Sequence, residues 1–537
     1  MQNLFIDYIY LILIILGLIM LANKLRLAYP IVLVLGGLVL SLVDEFSRIT
    51  ISPDLVFFIF LPPLLYEASW QVSWKEFWRW RRVITSFAFP IVILTSCVIA
   101  LVSHALIPGF TLALGFLLGG IISPPDAISA TTIMRQVNVP KSLVSIAEGE
   151  SLLNDASSLI VFRFALAAVL TGRFQFQEAA ASFALVVFMG IGIGLLVGVV
   201  FYAIHRWLPT TPGIDIVLTL VTPYCMYYAA EQLHFSGVLA VVSGGLLLSN
   251  KRQQMLTYQS RIQGVNVWNS LVFVLNGLVF LLIGLQLPAI VGQLGTVSLR
   301  SAIEYGLIIS GVLMLTRLVC TFGAAIFTRL MSRFITVAEP NPGWKNPFIL
   351  GWAGMRGVVS LAAAISIPLL TPDGQSFPHR NLILVITFIA ILITLVLQGL
   401  TLPWLIRKVK PTEQDTTPSE QQQELMIQQT INQTSLQFLA ENDRSNEHLV
   451  NLYEKLKLDQ RLLDDELHEP NNQKAVSRLA YQRTYLNLLQ QQRNALNELN
   501  RQPDIDEELI RKYLSLIDLE EYRIREKQVF PEALNEP

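Results

Sequence analysis

Residues 148–163 read Glu-Gly-Glu-Ser-Leu-Leu-Asn-Asp-Ala-Ser-Ser-Leu-Ile-Val-Phe-Arg. They put three carboxylates, an amide, three hydroxyls and a guanidinium into a 537-residue chain that is 53% apolar and only 15% charged, with mean hydropathy +0.51. If the stretch opens a membrane-spanning helix, Asp155 lies inside the bilayer, where an ionised side chain costs about 3 kcal/mol on insertion scales and more in simulations. A chain carries that cost mainly for function. At helical spacing Ser151, Asp155 and Ser158 share one face, and Glu150 and Asn154 share the adjoining one. The result is an oxygen-lined stripe with a buried acid, suited to a hard cation or a proton. The structural alternative is an acid paired permanently with an arginine.

Working outward, apolar runs of about 20 residues, the length that crosses ~30 Å of hydrocarbon, recur thirteen times. They lie near 6–23, 28–44, 53–69, 83–106, 110–134, 146–171, 180–205, 214–231, 235–249, 266–288, 302–328, 347–370 and 380–406. An odd number of crossings puts the termini on opposite sides of the membrane. Residues 1–410 carry 25 Lys/Arg against 16 Asp/Glu, a net of +9, and residues 411–537 carry 14 against 24, a net of −10. The near-neutral whole therefore hides a basic membrane part and an acidic tail. Of the 25 basic residues in 1–410, alternate loops hold 18 and the other loops only Arg48, Arg173, Arg300 and Arg380. Arg163, Arg317 and Arg356 fall inside spans. By the positive-inside rule the N-terminus is external and the tail cytoplasmic, in a multi-pass protein of the plasma (inner) membrane. Trp70, Trp74, Trp78 and Trp80 form an aromatic belt beside one basic loop, with an amphipathic interfacial helix expected over 71–82. Cys97, Cys225 and Cys320 lie in apolar runs without paired or metal-like spacing, so neither a disulfide framework nor a zinc site is expected. Residues 7–23 lack the basic start and cleavage site of a signal peptide and read as a retained first span.

Three spans carry unusual punctuation. The third contains Pro62-Pro63, which forfeit helical hydrogen bonds and kink it. Glu67, just after them, sits either at the inner interface or along the transport pathway. The fifth is interrupted at Gly119-Gly120-Ile121-Ile122-Ser123-Pro124-Pro125-Asp126. Irregular backbone at membrane depth must line a cavity or be buried in protein, and Asp126 is placed either to cap the following half-helix or, with the freed carbonyls, to coordinate a cation. The twelfth repeats the device at Gly351-Trp352-Ala353-Gly354-Met355-Arg356-Gly357. Interrupted spans in both halves of a membrane domain point to a transporter of inverted repeats. Seven spans apart, the two run antiparallel, and Asp126 and Arg356 are natural compensators of their exposed dipole ends. Of the intramembrane arginines, Arg317 is expected to pair with Glu150, leaving Asp155 free to titrate. Arg163 lies about 80° around the helix from Asp155 and needs a partner of its own. His104, His205 and His234 fall at span ends and receive no role.

From Pro411 the chemistry changes. Residues 411–418 read as a linker, and apolar residues recur at three- and four-residue spacing over 419–442, 445–468, 471–501 and 504–529, with Asp504 as an N-cap candidate. The domains are thus 1–410, the membrane domain, and 411–537, an acidic helical cytoplasmic domain. The tail is suited to docking on the basic inner loops as a regulator, or to serving as a solubilising or dimerising appendage.

Taken together, Phe58-Ile-Phe-Leu-Pro-Pro-Leu-Leu-Tyr-Glu67, Ser123-Pro-Pro-Asp126, Glu148-Gly-Glu-Ser-Leu-Leu-Asn-Asp155 and Gly354-Met-Arg-Gly357 resemble the bacterial sodium/proton antiporters of the monovalent cation/proton antiporter superfamily. The resemblance covers residues 5–408. It implies an all-α polytopic fold of about thirteen transmembrane helices with inverted repeats, two crossing broken helices, a core domain and a dimerisation domain, and a homodimer. It implies further that Asp155 alternately holds a proton or a cation, that Asn154 completes an Asn-Asp pair typical of electroneutral exchange, and that Asp126 and Ser151 join them around sodium or another monovalent cation. Glu150, Arg317 and Arg356 would organise the site. The chain departs from many relatives at Pro125, where a threonine ligand is common. The expected partners are the lipid bilayer, monovalent cations (sodium, or potassium or lithium), protons and a second copy of the chain. Neither a cofactor, a nucleic acid nor enzyme activity is expected. A potassium/proton antiporter shares every feature above, and a cation channel or sensor with a regulatory tail would differ in passing uncoupled current. A membrane-embedded aspartyl protease is disfavoured by the missing Gly-x-Gly-Asp signature.

Overall fold

A computed structural model describes residues 2–25, 27–43, 55–137, 139–172, 176–292, 294, 298–334, 337, 339, 343–411, 420–441, 447–468, 472–499 and 507–526. The linker over 412–418 and Asp504 lie outside them. By internal contacts the chain divides into two compact units, Met1–Glu413 and Gln414–Pro537.

In the first unit, α1 (Gln2–Leu25) and α2 (Tyr29–Leu40) are followed by a π-helical turn at Leu55–Phe60 and α3 (Leu61–Gln71). Pro62 and Pro63 thus sit in the first turn of α3, where a missing N–H leaves no helical bond unmade. The helix α4 (Trp74–Ser86) continues through a π-helical turn (Phe87–Ile91) into α5 (Val92–Leu106). The separate interfacial helix expected over 71–82 is therefore the first part of a single helical run, Trp74–Leu106. Trp80 is buried there rather than belted, its Nε1 donating to Glu76, whereas Trp74 and Trp78 stay exposed. The first interrupted helix is α6 (Leu112–Ile122) and α7 (Ala127–Gln136). Next come α8 (Lys141–Thr171), which carries the stretch 148–163, then α9 (Phe176–Trp207), α10 (Pro212–Gln232), α11 (Gly237–Met255), α12 (Tyr258–Leu285), α13 (Leu287–Gly292) and α14 (Leu299–Met331). The second interrupted helix is α15 (Lys345–Trp352) and α16 (Val358–Ile365). The unit ends with α17 (Arg380–Ile393), a π-helical turn at Thr394–Gln398 and α18 (Gly399–Val409).

Serine and threonine start many of these helices. Thr111, Thr211, Ser236, Thr257 and Ser298 each accept a hydrogen bond from a first-turn N–H, which satisfies donors that lipid cannot. Among the described residues eight helical runs are long and apolar enough to cross a membrane, with shorter apolar helices at Ile9–Leu25 and Tyr29–Leu40. The other expected crossings correspond to the short α3, to α11, and to the interrupted pair α15 and α16.

The unit has two main apolar cores. The larger joins α2, α4 to α8 and α14 to α18 with the end of α12. The smaller joins α3, α10 and α11 with Trp268 of α12, and α9 packs against it. The helix α8 lies on the seam, giving Ile146 and Phe162 to the first core and Leu152 and Ala156 to the second. That position turns its polar stripe inward.

In the second unit α19 (Glu420–Glu441), α20 (Glu447–His468), α21 (Asn472–Leu499) and α22 (Glu507–Glu526) follow the four amphipathic segments read from the sequence. Arg493 joins α21 to α22 through Asp518 (2.6 Å) and Glu521 (2.5 Å).

Candidate functional site

The two interrupted helices cross at their breaks. The Asp126 N–H donates to Met355 O at 2.6 Å. Arg356 lies fully buried in the crossing, its Nε donating to Ile122 O at 2.9 Å and its Nη2 to Ser123 O at 3.2 Å, while Nη1 donates to Gly354 O. Its guanidinium thus sits on the carbonyl ends of α6 and α15, where the helix dipole is negative. Asp126 occupies the opposite ends. It caps α7, accepting from the Ile128 N–H at 3.1 Å and from Ser129 Oγ at 3.0 Å, and it lies against Gly357, which precedes α16.

The glycines of Gly354-Met-Arg-Gly357 follow from this packing. A Cβ at residue 354 would meet Arg317 Cδ at 2.3 Å, and one at residue 357 would meet Asp126 Cβ at 2.7 Å. Only glycine lets the two charged side chains approach so closely.

The helix α8 stitches the first break from the side. Asn154 Nδ2 donates to Pro125 O at 2.9 Å, and Ser151 Oγ accepts from the Ala127 N–H at 3.2 Å. Proline suits position 125 because it adds no N–H that the break would have to satisfy. Several of the carbonyls freed by the break are engaged within the protein. The Ile122 and Ser123 carbonyls already accept from Arg356, and that of Pro125 from Asn154, because a buried backbone acceptor is costly to leave unpaired.

Two acids of α8 then meet opposite surroundings. Glu150 is buried and accepts from Arg317 Nη1 at 2.7 Å and Nη2 at 2.9 Å, and Nη2 also donates to Leu350 O at 3.3 Å. Asp155 is 8% exposed and lines a cavity of about 440 Å³. Among the described residues no donor forms a hydrogen bond with its side chain. The same cavity is lined by Asp126, Ser151, Thr131, Ser360 and Glu67, and by Arg135 and Glu148, which pair at 2.7 Å. Glu67 accepts a hydrogen bond from Gln71. The sequence-derived residues therefore separate into two groups. Asp155, Asp126, Ser151 and Glu67 face the cavity, whereas Glu150, Arg317, Arg356 and the buried Asn154 brace its walls from behind.

A family model described as the transmembrane part of sodium/hydrogen exchangers matches residues 10–408. The chain belongs to the sodium/hydrogen exchanger family. It is 33% identical over 392 residues to a sodium, potassium, lithium and rubidium/proton antiporter of Bacillus pumilus, an alignment covering 71% of this chain and 58% of that protein. The chain thus spans less than two thirds of that relative's length. It is 30% identical to a low-affinity sodium/proton antiporter of Synechocystis, over 71% of this chain and 69% of the relative. An uncharacterised sodium/proton exchanger of Mycobacterium tuberculosis aligns at 29% identity over 94% of this chain and 93% of its own length, so that similarity runs on into the tail. Among solved structures, the sodium/proton antiporter of Methanocaldococcus jannaschii superposes with a TM-score of 0.59 at 19% identity, covering 76% of this chain and 99% of that one. That likeness is one of fold. Members of the sodium/hydrogen exchanger family are multi-pass membrane transporters, not enzymes, which accords with a cavity among apolar helices that carries Asp155, Asp126 and Glu67 in its lining.

Sequence reasoning missed two features of this chain. His205, given no role as a span-end histidine, is buried: its Nδ1 lies 2.9 Å from Asp215 Oδ1, and Asp215 Oδ2 accepts from Ser260 Oγ at 2.7 Å. Asp215 reads in sequence as an ordinary first-turn acid of α10, and only packing brings α9 and α12 to it. The second is the partner of Arg163, which proves to be Glu231, 68 residues away at 2.7 Å.

Proposed function

We propose that the chain exchanges sodium for protons across the membrane, one cation for one proton, by competition for Asp155. The observation that carries this reading is the contrast on α8. Glu150 is neutralised by Arg317, while Asp155 lines a cavity and among the described residues forms no ion pair. An isolated carboxylate in a low-dielectric interior must find a counter-charge, and a proton or a dehydrated cation supplies it. Asp126 and the Ser151 hydroxyl complete an oxygen set of the kind that hard cations take.

Asp155 held by either ion is neutral in sum, so the occupied site crosses the seam at low electrostatic cost and the empty one does not. Coupling follows from that difference. Asn154 is an amide where a second carboxylate would add a charge, which supports electroneutral exchange. The basic residues Arg135 and Lys141 support a cytoplasmic position for the part of the cavity that Arg135 lines. The protein on this reading is a homodimer in the plasma membrane, with an external N-terminus, an exchanger domain over 1–410 and a cytoplasmic helical domain over 411–537. Glu67 lines the approach to the site. Potassium stands as a second reading of the cation, because the Bacillus pumilus relative is named for it as well as for sodium.

The test is transport in proteoliposomes with an internal pH dye under clamped voltage, comparing sodium, lithium and potassium gradients. A sodium-driven pH change that is insensitive to voltage and absent in Asp155→Asn is expected. A response to potassium alone would replace the cation, and a voltage-dependent uncoupled current would make the protein a channel.

A further inference from the structure

The cavity follows only part of α8. From Asp155 toward the start of α8 the cavity runs past Ser151 to Glu148 and Arg135, but no residue of α8 beyond Asp155 lines it. Eight residues further on, about 12 Å along the helix axis, Arg163 reaches across the seam to α10. Its Nη2 lies 2.7 Å and 3.0 Å from the two carboxylate oxygens of Glu231. Glu231 Oε1 also accepts the N–H of Gly237 at 3.1 Å, so the same carboxylate pins the corner between α10 and α11. The two helices meet in the smaller core through Leu152 and Ala156, but at Arg163 the adjoining Phe162 belongs to the larger core while Glu231 follows Ala230 of the smaller. The ion pair therefore spans the two apolar cores instead of bracing one of them.

Its position also fits intermittent use. Arg163 and Glu231 side chains are 46% and 21% exposed, so the pair lies at the edge of the helix packing and is not locked inside either core. The buried Glu150–Arg317 pair, 2% and 4% exposed, lies wholly within the larger core and could not part cheaply. A specific contact across the seam, outside either core, is what a reversible closure requires.

We infer that Arg163 and Glu231 are the latch of the transport path on the side of Asp155 away from the cavity: paired while the cavity is open, and parted each time Asp155 is presented to the opposite side. The inference rests on the exchange reading above. A fixed structural strut between α8 and α10 is the competing role, and it makes the opposite prediction when the two residues are tied together.

The experiment ties them. Arg163→Cys and Glu231→Cys are introduced into the full chain carrying Cys97→Ala, Cys225→Ala and Cys320→Ala, reconstituted, and joined by a reducible bifunctional methanethiosulfonate reagent, with linkage read by mass. Before linking, sodium-driven proton exchange is expected within about five-fold of the parent, the most a half-exposed ion pair accounts for. Linking is expected to reduce exchange to the level of empty vesicles, and reductant to restore it. A linked protein that exchanges as fast as the unlinked one overturns the latch and leaves the assignment of Asp155 standing. An Asp155→Asn protein that still exchanges overturns that assignment, and the latch with it. Should the double-cysteine protein not reconstitute, the charge swap Arg163→Glu with Glu231→Arg decides. It is expected to exchange faster than either single substitution, and a swap no better than the singles overturns the pairing.

Discussion

Glu150 and Asp155 are five residues apart on one helix, and the molecule treats them as different chemical objects. Glu150 faces α14 and α15, where two N–H groups of Arg317 hold it at 2.7 and 2.9 Å. Asp155 faces the cavity, with Asp126 among its neighbours around the same space and no arginine bonded to it among the described residues. On the exchange reading proposed above, what separates scaffold from working group is the reach of a cation. A carboxylate whose counter-charge is built in has nothing left to exchange, while one without it must borrow a proton or a sodium ion from outside. Five residues turn a helix by about 140°, which is why one polar stripe can serve both ends.

The sharpest way to break this comparison is to neutralise each acid in turn. Asp155→Asn is expected to bring sodium-driven exchange down to the level of empty vesicles. It should leave the unfolding free energy in detergent within about 1 kcal/mol of the parent, because no partner is stranded. Loss of the fold instead of the transport would make Asp155 the scaffold. Arg317→Leu should do the reverse first, destabilising the protein by about 3–5 kcal/mol through an uncompensated buried Glu150. Adding Glu150→Gln to it should recover part of that loss, and a double variant no more stable than Arg317→Leu alone would show that the pair does not act as a unit.

Competition at Asp155 also fixes the sign of the pH dependence. As pH falls, protons displace sodium, so the apparent KM for sodium should rise, by up to about ten-fold per pH unit where the site is mostly protonated. A KM flat in pH would mean that the two ions use separate groups. Gly357→Ala tests the other wall of the cavity. The added methyl lands 2.7 Å from Asp126 Cβ, and displacing that carboxylate by a fraction of an ångström should raise the sodium KM by about ten-fold, with proton-limited rates less affected. The smallest effect is expected from Glu67→Gln, about three-fold in rate at low sodium, since a charge lining the approach concentrates cations without binding the transported one. It should shrink as ionic strength rises, and a salt-independent loss would place Glu67 in the site itself.

Much of this arrangement was legible in the residues. The polar stripe at 148–163, the glycine- and proline-marked breaks at 119–126 and 351–357, and the need of Arg317 for an acid all follow from the cost of placing polar groups in an apolar environment. Other parts were not legible for a physical reason. Pro125 reads as a missing ligand, yet in the fold its carbonyl holds Asn154. His205 reads as a span-end histidine, yet it is buried on Asp215. The basic, tryptophan-rich segment near 74–82 reads as interfacial, yet it begins a helix that runs to Leu106. Asn154 reaches Pro125 from another helix, Asp215 meets His205 only because α9 and α10 fold back on each other, and the segment near 74–82 is held by the helix that follows it, so a local pattern carries no information about any of the three.

By itself the sequence determined that the protein is an α-helical membrane transporter with a helical tail, because hydropathy, charge asymmetry and helix punctuation are written residue by residue and the bilayer reads them one segment at a time. Only the tertiary structure decided which carboxylate is free. Pairing across 167 residues between Glu150 and Arg317, and the seam between two apolar cores that leaves Asp155 facing a cavity, depend on how helices pack against each other, and that is a property of the whole assembly of surfaces rather than of any stretch within it.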